Sequence, residues 1–137
     1  MAKKQNNKIY SGKRKTAVAK VRIVPGKGNI FYNKLPHSEL NLFHKLALIE
    51  PLRIHEKELG DVKFDFHIKT IRGGKESQIQ AARLAIARAL VEITGSETLR
   101  KEFIRYDRNI LVQDSRRKET YKPGDSKARA KRQKSYR

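Results

Sequence analysis

Several residue types are missing or scarce in this sequence, and each absence limits what the protein can be. The 137 residues include no cysteine, so disulfide scaffolds and thiolate metal sites are excluded. No apolar run approaches the roughly 20 residues that a membrane span requires. Residues 1–8 are polar and basic, without the apolar stretch of a secretory signal. We therefore expect a soluble, unexported protein whose length corresponds to one domain.

Acidic residues are scarce at both ends of the chain. The sequence holds 33 Lys and Arg against 14 Asp and Glu, a formal net charge of +19. The first acidic residue is Glu39, so the ten basic residues before it are unopposed. Residues 116–137 hold ten basic and two acidic side chains, whereas residues 39–115 hold 13 and 12. Positive charge concentrated in two end segments predicts a polyanionic partner. Neither segment has the amphipathic face or lipidation signal of a membrane anchor, so we expect no membrane partner.

Alternation of apolar residues predicts two strands and a hairpin. Residues 16–24 alternate, with Ala17, Ala19, Val21 and Ile23 on one face, as in a half-buried strand. Residues 25–29 (Pro-Gly-Lys-Gly-Asn) supply turn residues for a hairpin into residues 30–32. The clearest alternation is Val62, Phe64, Phe66 and Ile68, which predicts a strand at the centre of the sheet.

Helical spacing predicts three helices. Residues 35–49 carry an apolar stripe of Leu35, Leu42, Leu46 and Ile49, with Phe43 beside it, and we expect Pro51 to end this helix. A long Ala-rich helix follows Gly73 and Gly74 and ends at Gly95. Its inward side consists of Ile79, Ala82, Ile86, Leu90 and Ile93. A shorter helix has Ser96 as its cap and Leu99 and Phe103 inward, and leads to the apolar run 110–112.

The order of these elements is typical of an α+β fold. We predict a globular domain over residues 1–115, including a basic N-terminal arm, and an extended basic tail over residues 116–137. The tail has too few apolar residues to offset the entropy of ordering it alone, so we expect it to order on RNA. Residues 127–137 contain six Lys and Arg, no acid, and Tyr136, a composition suited to phosphate contacts and base stacking.

Catalytic and metal-binding patterns are absent from the sequence. Gly73, Gly74 and Lys75 precede a helix, but Glu76 replaces the Ser or Thr of a Walker motif and the glycine spacing differs. The four histidines have no cysteine or acidic cluster to complete a metal site. Glu56 and Glu58 lie in a charged segment with no apolar pocket to raise a pKa. We therefore predict no enzyme, no cofactor and no metal site.

Five blocks of residues, in order, resemble the family of the universal small-subunit ribosomal protein numbered nine. The first block is Gly12-Lys13-Arg14-Lys15-Thr16-Ala17 with Ala19 and Val21, and the second is Gly26, Gly28 and Asn33. The third is Gly73-Gly74 with Gln78, Ala81, Ala82, Arg83, Ala85, Ile86, Ala87, Arg88, Ala89 and Leu90. The last two are Asp114-Ser115-Arg116 with Glu119, Lys122 and Gly124, and Lys127-Ala128-Arg129 with Gln133-Lys134-Ser135-Tyr136-Arg137. The ending is similar to that of the archaeal and eukaryotic branch.

This resemblance implies a fold, a location and a set of contacts. The family's fold is a four-stranded sheet covered by helices, with a left-handed βαβ crossover. Its members are structural proteins of the small-subunit head, bound to ribosomal RNA beside other head proteins in the cytoplasmic ribosome. The tail of the family reaches peptidyl-site tRNA, a contact that falls here on Lys134, Ser135, Tyr136 and Arg137. The residues expected to bind ribosomal RNA are Lys13, Arg14, Lys15, Lys20, Arg22, Arg72, Lys75, Arg116, Arg117, Lys118, Lys122, Lys127, Arg129, Lys131 and Arg132.

Two other classes of function compete with this interpretation. A small phosphate-transfer enzyme would use the Gly73-Gly74 turn and the kinship of the fold to sugar and mevalonate kinases, and the free protein would bind ATP. A DNA-compacting protein would bind duplex DNA in competition with structured ribosomal RNA at matched salt.

Overall fold

Five strands and three α-helices make up most of residues 8–124 and 127–130, the part of the chain that the computed structural model describes. The strands are β1 (Ile9–Arg14), β2 (Ala17–Pro25), β3 (Ile30–Tyr32), β4 (Leu35–Pro36) and β5 (Phe64–Ile71). The helices are α1 (Leu42–Leu59), α2 (Lys75–Thr94) and α3 (Glu97–Tyr106). The predicted α+β class is confirmed, but the sheet has five strands rather than four, since the two-residue β4 adds an edge.

The strand order is β1-β2-β5-β3-β4, so β5 is central, as predicted. The predicted hairpin between β2 and β3 is wrong, because β5 lies between them, antiparallel to β2 and parallel to β3. Residues 26–29 instead pass the start of β5, where the Asp65 carboxylate accepts hydrogen bonds from the backbone amides of Lys27 and Asn29, both 2.9 Å. The connection from β3 to β5 contains α1, and its left-handed sense stays a prediction.

The helices cover one face of the sheet. Helix α2 packs on β1 and β2, and α1 packs on α2. Small residues allow α2 to approach closely, since Ala81, Ala82 and Ala85 are fully buried. The predicted inward residues of α2 are buried except Ile93, which is partly exposed. Gly95 ends this helix with a left-handed φ of 60°, the Ser96 hydroxyl accepts the Leu99 amide, and Leu99 and Phe103 are buried, all as predicted.

Helix α1 differs from its prediction at both ends. It begins at Leu42, after β4 and a short 3₁₀ turn, and it continues through Pro51 to Leu59. A proline inside a helix removes one backbone donor, and here the buried ring of Pro51 packs in the interior beside Leu48 and Leu52. The predicted stripe is largely wrong, because Leu42 and Phe43 are exposed.

Candidate nucleic-acid interface

A basic groove lies at the end of the sheet where β1 turns into β2. It has a volume of about 760 Å³, and its walls come from two distant parts of the chain, the turn and the start of the tail. The lining residues are Arg14, Lys15, Thr16, Arg116, Arg117 and Lys118. Because all five cationic side chains lie around one concave surface, this basic groove can neutralise several phosphate groups at once.

Asp114 holds the two walls of the basic groove together. Its carboxylate forms an ion pair with Arg14 of β1, and it accepts hydrogen bonds from the backbone amide and guanidinium of Arg116 at 2.9 and 2.8 Å. These bonds to Arg116, with a further one from Arg14, hold the pKa of Asp114 well below its usual range. Arg14 also donates to Gln80 of α2, 3.0 Å. Arg14, predicted to bind RNA, therefore also anchors the tail to the sheet.

The loop that enters α2 lies beside the same turn. Gly73 has a left-handed φ of 69°, and a Cβ there would come within 2.9 Å of the Ala17 backbone nitrogen. The Gln78 side chain donates to the carbonyl of Arg72 at 2.9 Å and closes the loop. Arg72 and Lys75 are exposed next to the turn. Gly73 thus has a packing role, which accounts for it without nucleotide chemistry, whereas Gly74 is the N-cap of α2 and an added Cβ there would meet no atom within 4 Å.

The sheet face opposite the helices carries the next predicted cations. Lys20 and Arg22 are exposed on this face of β2, and Lys13 is half-buried on the same face of β1. Sequence reasoning did not single out Lys69 of β5, which lies directly opposite Lys20. The alternation of β5 could have revealed it, since Lys69 occupies the outward side together with His67.

The described part of the tail is exposed and contains no helix or strand. Lys122 and Lys127 point to solvent, the Lys118 ammonium lies 4.7 Å from the Tyr121 ring centre, and Arg129 pairs with Glu119 at 3.0 Å. Lys131, Arg132 and the four residues predicted to contact tRNA lie outside the described residues. Sequence reasoning assigned no role to Asp114, which links the two walls of the basic groove, although it quoted the motif Asp114-Ser115-Arg116.

Two negative observations concern residues 8–124 and 127–130. They contain no cluster of three His, Asp or Glu side chains that could hold a metal ion. No helix among them is long and apolar enough to span a bilayer.

Comparison with known proteins identifies the family of the chain. Residues 12–137 match the family model described as ribosomal protein S9/S16. The chain belongs to this family. A protein of Methanococcus maripaludis named small ribosomal subunit protein uS9 is 43% identical over 129 residues, covering 92% of this chain and 95% of the relative. The protein of the same name from Methanococcus vannielii is 42% identical with the same coverage.

Membership of the S9/S16 family settles the class of function. The protein is a structural component of the small ribosomal subunit that takes part in translation in the cytoplasm, as predicted. The alternative of a phosphate-transfer enzyme is wrong, because the family is non-enzymatic. Gly73 and Gly74 accordingly form the entry to α2 in a ribosomal protein and are not a nucleotide-binding loop.

Proposed function

We propose that this protein binds ribosomal RNA in the head of the small subunit, beside other head proteins, and that its last residues contact tRNA in the peptidyl site. The basic groove carries the first part of the proposal. Its cations come from residues 14–15 and 116–118, and Asp114 forms ion pairs with Arg14 on one wall and Arg116 on the other. A structured RNA offers phosphate groups that such a surface can contact without reading the base sequence.

The proposal divides the protein into two working parts. Residues 1–115 form a body that docks on RNA through the basic groove, Lys13, Lys20, Arg22, Arg72 and Lys75. Residues 116–137 form a tail whose cations, including Lys122, Lys127, Arg129, Lys131 and Arg132, track the RNA backbone. The match to the S9/S16 family model extends to the last residue, which supports a tRNA contact for Lys134, Ser135, Tyr136 and Arg137.

The test compares three variants with the complete chain in reconstituted small subunits. The first variant, Lys15→Ala/Arg117→Ala/Lys118→Ala, removes three cations from the basic groove. Affinity for ribosomal RNA falls as salt rises, and we expect the slope of log affinity against log salt concentration to become shallower by about 2 to 3. Each lost phosphate contact accounts for about 0.7–0.9 of this change. The matched control is Arg53→Ala/Lys57→Ala/Lys101→Ala, which removes the same charge from α1 and α3.

The second variant ends at Gln133. We expect it to assemble normally but to release peptidyl-site tRNA faster than the complete chain, since the proposed contacts are missing. A groove variant indistinguishable from its control would refute the role of the basic groove. A truncation that impairs assembly as much as tRNA retention would refute the division of labour, and preferential binding of duplex DNA at matched salt would favour a DNA-compacting protein.

A further inference from the structure

A row of side chains crosses the sheet on the face that no helix covers. Strand register places Ile9 opposite Arg22, Arg22 opposite His67, and His67 beside Phe31. The rings of His67 and Phe31 are stacked, with centres 4.9 Å apart and planes at 10°. Ile9 is 61% exposed at the end of the row. The row therefore places an apolar side chain, a guanidinium group and a stacked ring pair side by side across four strands.

A second row, next to the first, brings two lysines together. Lys20 and Lys69 are direct cross-strand neighbours, and the following position on β1 is Ser11. Like charges directly opposite each other destabilise a sheet. Asp65 is the one acidic residue in the five strands, and its carboxylate already accepts the amides of Lys27 and Asn29. The repulsion between the two lysines thus lacks an acidic neighbour within the sheet.

The two rows line one groove of about 480 Å³, which the Lys34 side chain bounds at the β3–β4 turn. An unpaired nucleotide can contact cations and an aromatic stack that lie side by side, because its phosphate attracts the cations and its exposed base stacks on a ring. A paired helix offers phosphates, ribose hydroxyls and base edges, but its base faces are stacked inside the helix and cannot pack against a side-chain ring. The combination accordingly favours single-stranded RNA over duplex RNA.

We propose that this aromatic–basic face, formed by Lys20, Arg22, Phe31, His67 and Lys69, binds an unpaired segment of ribosomal RNA. A phosphate group lies between Lys20 and Lys69, and a base packs against the Phe31–His67 pair. The inference rests on the proposed binding of ribosomal RNA and adds to it a class of RNA target and a second binding surface, apart from the basic groove.

The absence of tryptophan from the whole sequence gives a direct test of stacking. Phe31→Trp introduces a single indole at the proposed stacking position, and Tyr106→Trp introduces one on α3, where Tyr106 is 60% exposed. Each variant is titrated with single-stranded oligoadenosine and with a fully paired RNA hairpin. Oligoadenosine is expected to quench Trp fluorescence in Phe31→Trp more strongly than the hairpin does, and to leave Tyr106→Trp nearly unchanged.

Affinity measurements separate the phosphate contact from stacking. Lys20→Ala/Lys69→Ala is expected to lower the salt slope for oligoadenosine by about 1.4, at about 0.7 for each single-strand phosphate contact, whereas Lys57→Ala/Lys101→Ala leaves it unchanged. Removal of the opposed lysines also raises the midpoint of thermal unfolding, because the repulsion disappears. Phe31→Ala is expected to weaken binding about 5- to 150-fold, and Phe31→Tyr, which keeps a stacking ring, restores it.

The outcomes distinguish this inference from the proposed function. The inference is overturned if ribosomal RNA binds normally while oligoadenosine causes no selective quenching in Phe31→Trp and the two double variants have equal salt slopes. That result leaves the proposed function standing. Failure of the unmodified chain to bind ribosomal RNA refutes both. A fluorescence change of Phe31→Trp that requires another ribosomal protein, and that RNA alone does not produce, assigns the face to a protein partner and overturns the inference.

Discussion

Gly12 lies where β1 closely approaches the backbone of α2, and it gives a sharp test of the packing. A Cβ at this position would lie 2.1 Å from the Ala81 carbonyl oxygen and 2.9 Å from the Ala85 nitrogen. Both atoms belong to the α2 backbone, so no side-chain rotation can relieve the overlap. Gly12→Ala must therefore move β1 away from α2 by about 1 Å, and a gap of this size removes roughly a quarter to a half of each dispersion contact along the interface.

We expect Gly12→Ala to lower the free energy of unfolding by about 3 kcal/mol, the upper end of the range for overpacked cores, because the obstruction is backbone. For a chain of this length that corresponds to a fall of roughly 10–15 °C in Tm. Urea unfolding followed by circular dichroism measures the change. Gly74→Ala is the control, since its Cβ meets no atom within 4 Å and its φ of −91° suits alanine; it should cost less than about 1 kcal/mol. Equal stability of the two variants would show that β1 and α2 are not in close contact.

Two further predictions concern titratable groups. Arg116 and Arg14 lower the folded-state pKa of Asp114, so the stability that this carboxylate contributes is present above its ordinary pKa of 3.8 and is lost as the pH falls further. Asp114→Asn should therefore lose less stability than the unmodified protein below about pH 4. At neutral pH the same variant should show faster amide exchange at residues 116–118. Burial lowers the pKa of His55 below its ordinary 6.5, so its contribution is present above that value and lost below it; denaturant unfolding at pH 7 and pH 5 should show a smaller loss in His55→Leu, and an unchanged loss contradicts the assignment.

Local sequence patterns predicted those strands and helices whose apolar residues recur with the regular spacing of a strand or of a helix. The alternation in β2 and β5 and the small-residue spacing of α2 correspond to faces that are buried in the structure. Strand β1 has no such pattern, because Gly12 replaces a core side chain and α2 occupies the space. It forms through its pairing with β2, in which Gly12 lies opposite Ala19. Such pairing depends on residues that a local window does not contain.

Two of the wrong predictions, the hairpin after β2 and the end of α1 at Pro51, have the same origin. Residues 25–29 have the composition of a hairpin turn, but the Asp65 carboxylate binds their amides and lets β5 pair with β2 and β3. Pro51 would end an isolated helix, but here its ring is buried and α1, which packs on α2 and α3, continues through it. In each case a contact made elsewhere in the chain outweighs the local preference.

The candidate site was likewise predictable only in part from the sequence. Charge counting located the cations at the two ends of the chain and selected most of the residues that line the basic groove. It could not predict that residues 14–15 lie beside residues 116–118, because this contact depends on the ion pair between Asp114 and Arg14. Nor did it predict that Lys20 and Lys69 are neighbours, since register across a sheet is fixed by the core side chains on its other face.

The ion pair between Arg14 and Asp114 has a consequence for synthesis of the protein. Its partners are one hundred positions apart, so the amino-terminal cations leave the ribosomal exit tunnel long before the carboxylate exists. Contacts of such long range form late in folding. A nascent or prematurely ended chain therefore has the charge to attract RNA but no completed groove. Under the proposed function, stable docking through the groove thus selects finished molecules for assembly, and fragments bind only weakly and exchange.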